Sequence, residues 1–226
     1  MRSLIALSVL VGALLLGWLI WRNSSSPQQS TQNSSLNITK QPVNFTNRTF
    51  DPTAPPPDMP PLAPQEEAAC DSNFQSIVSV GAQTRLADAI HATVIVTHIN
   101  VNLQLTVAIW VPTNASQHVI EHEDGHRQIS EFYYQSADQL VRGIAAKYLN
   151  QQTEIAGSDL NAESNKLLLQ IAANITAEYN RELNLEPTQL LYDNITDHSR
   201  NEVAAKDALD HALKNVTIEA PQSTHN

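Results

Sequence analysis

His122-Glu123-Asp124-Gly125-His126 sets two imidazoles four residues apart, with a carboxylate next to the first. On an α-helix, positions four apart lie one above the other on a single face. Both rings then reach one cation, and Glu123 stands beside them as a general base, the arrangement that H-E-x-x-H takes in zinc hydrolases. Two histidines without the intervening Glu would read more simply as polar residues on an exposed helix face. With Glu123 present, the metal reading leads. Gly125 within the motif costs a helix about 1 kcal/mol relative to Ala, so a tightly packed backbone or a crowded site is expected there. His118 lies one turn before His122 on the same face. It reads as a neighbour of the site or a surface residue rather than a ligand.

The rest of the composition narrows the chemistry. Cys70 is the only cysteine in 226 residues, which excludes an intrachain disulfide and a thiolate-rich structural zinc site. Any metal must be held by His and carboxylates, the ligand set of catalytic zinc. The plain reading of Cys70 is an unpaired thiol without a role. A formal net charge of −10 argues against nucleic acid as a partner, because binding phosphate calls for clustered Lys and Arg.

Four segments are expected. Residues 1–22 form a signal anchor: Leu4–Trp21 is an unbroken apolar run between Arg2 and Arg22, with Trp18 and Trp21 suited to a membrane interface and no small-residue cleavage site after it. A cleaved secretory signal is the alternative. Either way the remainder lies outside the cytoplasm, at the periplasm or cell surface. Residues 23–70, rich in Ser, Asn, Gln and Pro, read as a disordered spacer, stiff where Pro55-Pro56-Pro57 and Pro60-Pro61 occur. Residues 71–216 hold the folded domain, and 217–226 a tail. The Asn-x-Ser/Thr triplets, such as Asn37-Ile38-Thr39 and Asn194-Ile195-Thr196, are attributed to composition.

Within the domain, Ile77–Val80, Thr93–Thr97 and Leu103–Trp110 read as strands, and Thr84–His91 as a short helix. Ser116 is the expected N-cap of a helix from Gln117 to about Tyr148 that carries the motif. Leu160–Leu185 reads as a second helix, stopped by Pro187, and Arg200–Lys214 as a last one. Leu103–Trp110, just before the motif helix, would be an edge strand that pairs with an extended substrate.

A catalytic zinc needs a third protein ligand and an open position for water. His91, His98, His198, His211, His225 and downstream carboxylates are the candidates. His198 stands out because it lies between two expected helices beyond the motif, and Glu202 is the alternative one turn further on. Tyr192 has two readings: a half-buried aromatic at a turn, or a phenol donating to the oxyanion of peptide hydrolysis. Asp193 or Asp197 could accept the second N–H of a ligand imidazole, although aspartates are also ordinary turn residues.

H-E-x-G-H at 122–126, together with Tyr192-Asp193-Asn194-Ile195-Thr196-Asp197-His198, resembles the bacterial family of secreted zinc-dependent proteases known as domain of unknown function 922. The resemblance covers about Phe74 to Leu213. It implies a zincin-like α+β fold, a small β-sheet packed against a helical body, in which His122, His126 and His198 hold Zn²⁺ and Glu123 is the base. Ser199 replaces a glycine common in the family, and Glu202 falls near its usual glutamine. Asn201–Asp207 is also loosely similar to the N-E-x-x-x-D pattern of thermolysin-like zincins, with its Asp one residue late, which keeps Glu202 in contention. The expected function is thus an extracytoplasmic, membrane-anchored zinc metallopeptidase acting on polypeptides. The rival expectations are a catalytically silent zinc-binding scaffold of the cell envelope and a zinc hydrolase of cell-wall amides.

Overall fold

A computed structural model describes residues 34–62 and 66–214. Leu4–Trp21 and the C-terminal tail lie outside the described residues. Among the described residues no helix is long and apolar enough to cross a membrane.

One long strand organises the sheet. β1 (Ser35–Lys40), β2 (Asn44–Phe50) and β3 (Ala69–Leu86) precede β4 (His91–Pro112), and β5 (Gln152–Ala156) follows two helices later. β3 runs antiparallel along the whole of β4. The opposite edge of β4 is shared end to end by β5 at His91–Ile95, β1 at His98–Leu103 and β2 at Thr106–Pro112. The chain is therefore mixed α/β, with a five-stranded sheet and helices.

The period of 2 in β4 decides which face is covered. Ile99, Val101, Leu103, Leu105, Val107 and Ile109 are buried, while Asn100 and Thr106 on the other face are exposed. Nearer the start of the strand the buried positions are Ala92, Val94 and Val96. The phase changes because the register shifts by one residue where Gly81 faces His98 and Ala82 faces Val96, leaving Thr97 as the extra residue of a bulge. That change of phase made one strand read as two.

α1 (Gln117–Gln135), α2 (Ala137–Ala146) and α3 (Leu160–Leu183) supply the residues that cover the apolar face, with Tyr134, Val141, Ile144, Ile171, Ile175 and Tyr179 in the main core. The polar face is laced by amides and hydroxyls instead: Asn37 donates to Asn100, Gln41 to Asn102 and Asn100 to Ser79. The last two helices, α4 (Glu186–Thr196) and α5 (Ala205–Lys214), build a smaller core with α1 around Ile129, Tyr192, Ala208, Leu209 and Ala212.

The structure corrects several expectations. Residues 35–50 are not part of a disordered spacer; they are two strands of the sheet. Leu36 and Ile38, two residues apart in β1, pack against the core with Val43, and Phe50 at the end of β2 is buried; these few apolar residues are hidden among Asn, Ser and Thr. The proline-rich stretch after them folds back in turns, where Arg48 pairs with Asp58 at 2.7 Å. Thr84–His91 is the end of β3 and a hairpin rather than a helix. Asp88 Oδ1 accepts from the backbone N–H groups of Ile90 and His91, which closes the turn. Leu103–Trp110 is not an edge strand, since β3 and β2 occupy both its edges. The long motif helix is broken at Ser136 (φ −99°, ψ 2°), which separates α1 from α2.

The correction at 35–50 has a direct test. Phe50→Ala should cost about 3 kcal/mol of unfolding free energy, as for a large buried aromatic. Urea denaturation reads this, and a loss below about 0.5 kcal/mol would fit the spacer instead.

Candidate metal centre

α1 starts where its cap chemistry says it should. Ser116 Oγ accepts from the N–H of Val119 at 3.3 Å. The helix then runs unbroken through 122–126, so both imidazoles share a face, with His122 and Glu123 buried at 3% and 5% exposure.

α4 packs against that face. Pro187 sits in its first turn, where the missing N–H and fixed φ favour helix initiation, so this proline opens a helix as well as following one. The segment read as a turn, 191–196, is consequently helical. Thr188, Tyr192 and Thr196, at intervals of four, form its buried side.

His122, His126 and Asp193 come together at the α1–α4 contact, each offering one ligand atom. Nε2 of His122 lies 3.2 Å from Nε2 of His126. Asp193 Oδ1 is 2.8 Å from His126 Nε2 and 3.5 Å from His122 Nε2. Ligands about 2.0–2.1 Å from a tetrahedral ion are about 3.3 Å from one another, so these separations suit a single ion touching all three. Nitrogen, nitrogen and oxygen donors also match the chemistry of a catalytic zinc site. The group can hold a metal ion.

The two imidazoles differ in their electrostatics. Burial, reinforced by the neighbouring His126, pushes the His122 imidazole down to about 3, which keeps the neutral, metal-binding form. For His126, burial disfavours the charged ring, but the hydrogen bond and charge of Asp193 outweigh it and hold the ring up at about 9. Glu123 is raised to about 7, chiefly by burial. The Cys70 thiol is also pushed up, first by burial and then by Glu123. The thiol is thus held protonated, the unreactive form.

Tyr192 is fully buried and its hydroxyl donates to the backbone carbonyl of His122 at 3.2 Å. Its ring stacks on His122 (centroids 5.1 Å apart, planes at 14°) and presents to His126 edge-on. Of its two readings, the burial and this hydrogen bond support the packing residue. The same ring explains Gly125: a Cβ there would stand far inside van der Waals contact of the Tyr192 hydroxyl and ring. The expected crowding at that glycine is what the structure contains.

His198 stands next to the three-residue group rather than within it. It follows α4 in a run of left-handed residues, Asp197, His198 and Ser199, with φ of 47°, 53° and 64°. The side chain is 9% exposed, and Nδ1 lies 3.9 Å from both Asp193 Oδ1 and Glu66 Oε1. Nδ1 is buried without a hydrogen-bond partner. Glu202 is exposed in the turn ahead of α5 and does not join the group. His118 is half-buried with Nε2 unpartnered, and its charge is felt by His122.

Asp193 is the residue sequence reasoning undervalued, naming it as a partner for a ligand imidazole and including it among the candidate third ligands only as one of the downstream carboxylates. Comparison of the chain with protein-family models, with curated proteins and with solved structures finds no match.

Proposed function

We propose that this protein is a zinc-dependent metallopeptidase that hydrolyses polypeptides outside the cytoplasm. The observation that carries the reading is the meeting of His122 Nε2, His126 Nε2 and Asp193 Oδ1 at distances suited to one tetrahedral ion, with the buried Glu123 next to them in the chain. Zinc held there would supply a Lewis acid for the scissile carbonyl and lower the pKa of water.

The chain's own residues do the rest. His122 is already neutral, and His126 would give up its Nε2 proton on binding, so that both rings would offer a lone pair to the ion. Asp193 supplies the negative donor that offsets the charge of the ion. Glu123 accepts the proton of the attacking water on its carboxylate and passes it to the leaving amine. Its affinity for a proton, raised to about 7 by burial, is matched to that exchange near neutral pH. The apolar run Leu4–Trp21 would tether the enzyme to the membrane, with the catalytic domain beyond it.

The test is hydrolysis of an unfolded protein or a peptide library by the zinc-loaded chain and by Glu123→Gln. Replacing the base should lower turnover at least about 100-fold while zinc content stays near one per chain. Undiminished hydrolysis by Glu123→Gln would overturn the assignment of the base. A wild-type chain that binds zinc yet cleaves nothing would point to a scaffold.

A further inference from the structure

Gln189 lies one helical turn before Asp193 in α4, on the same face, and both side chains reach His126. Its hydrogen bonds are unusually constraining. Gln189 Nε2 donates to the backbone carbonyl of His126 at 3.2 Å and to Ser130 Oγ at 3.3 Å. Ser130 is fully buried and itself donates to the His126 carbonyl at 3.1 Å. Its hydroxyl has one proton, so at the 2.8 Å contact with Ser72 Oγ it must be Ser72 that donates. Ser130 Oγ is then filled as an acceptor by Ser72 and Gln189, and every member of the network has a partner.

That network settles which way the amide points. Flipped, Gln189 Oε1 would face the His126 carbonyl, acceptor against acceptor, and the amide NH₂ would face the ring. In the observed orientation Oε1 lies 2.5 Å from His126 Nδ1. An amide oxygen can only accept, so Nδ1 must carry hydrogen. A neutral His126 then has its lone pair on Nε2, the atom that faces His122 Nε2 and Asp193 Oδ1. His122 has no such device: its Nδ1 is buried without a partner, and stacking on Tyr192 holds the ring.

We propose that Gln189 is the positioning residue of the metal centre, fixing His126 in the Nδ1–H form so that Nε2 is free for the ion. The inference rests on the metal reading above. It assigns two separable tasks to one side chain. The oxygen sets the tautomer and orientation of a ligand, and the nitrogen ties α4 to α1.

Two substitutions separate those tasks. Gln189→Glu keeps an acceptor for Nδ1–H but loses the donor to the His126 carbonyl and Ser130. Gln189→Met keeps the length and loses both. Zinc affinity is measured by competition with a chromophoric chelator, and thermal stability on the metal-free chains. Both variants should melt below wild type. Gln189→Met should bind zinc about 10–100-fold more weakly, the usual cost of removing a ligand's hydrogen-bond partner, and Gln189→Glu should remain within a few-fold of wild type. Equal losses of affinity in the two variants would reduce Gln189 to a packing residue and overturn the proposal, as would wild-type affinity in Gln189→Met. A wild-type chain that takes up no zinc would fail at the metal reading itself, before any variant is compared.

Discussion

Gly125→Ala should unfold this protein or leave it barely stable, although the same change stabilises an ordinary helix by about 1 kcal/mol. The new methyl would be driven into the hydroxyl and ring of Tyr192, with even Cε1 only 3.0 Å from it. Tyr192 cannot give way. It is fully buried, stacked on His122, and hydrogen-bonded through its hydroxyl to the carbonyl of that residue. Overpacking of this kind costs about 1–3 kcal/mol where side chains can shift, and a backbone-mounted methyl against a locked ring should reach at least the upper end. The decisive measurement is a double-mutant cycle in urea. In a Tyr192→Leu background the alanine should be neutral or stabilising, because the clash has been removed. If Gly125→Ala lowers stability equally in both backgrounds, or not at all in the first, the close approach of α1 and α4 at Gly125 is wrong.

That contact also shows what could be read from the chain and what could not. The zinc-type spacing and the Ser116 cap are local, since each depends on residues within a few turns of one helix; a glycine inside the motif signals crowding, but the ring that causes it, Tyr192, comes from α4. The long helix Leu160–Leu183 was legible for the same reason, from Leu167, Ile171, Ile175 and Tyr179 at helical spacing. β1 and β2 were hidden by composition. Their apolar residues are few among Asn, Thr, Lys and Arg, and the strands gain stability only by pairing with β4, which lies about sixty residues further along the chain. α4 was hidden by a proline read as a stop. Once Pro187 is placed at a helix start, Gln189 and Asp193 fall one turn apart on one face, and the third donor of the cluster emerges. Until that helix is recognised, the eye goes to the nearest histidine.

The choice between Asp193 and His198 carries the second large effect. Asp193→Ala should abolish tight zinc binding. The site would keep two imidazoles, and losing one of three protein ligands forfeits on the order of a third of the about 10–16 kcal/mol that a closed zinc site can provide, or roughly 10²–10⁴-fold in affinity. Asp193 also holds the proton on His126 in the metal-free chain, so its removal frees that ring without restoring a donor. His198→Ala should cost much less, because Nδ1 of His198 lies 3.9 Å from Asp193 Oδ1 and stands apart from the three-residue group. The left-handed backbone at Asp197–Ser199 brings the ring near the site at some conformational expense, which points to a role beside the metal. Chelator competition on the two variants decides. If His198→Ala loses zinc as completely as Asp193→Ala, the imidazole moves in to bind the ion and the site has four protein donors. If His198→Ala alone loses it, the ligand set is His122, His126 and His198, as the resemblance implied, and Asp193 is the hydrogen-bond partner of His126.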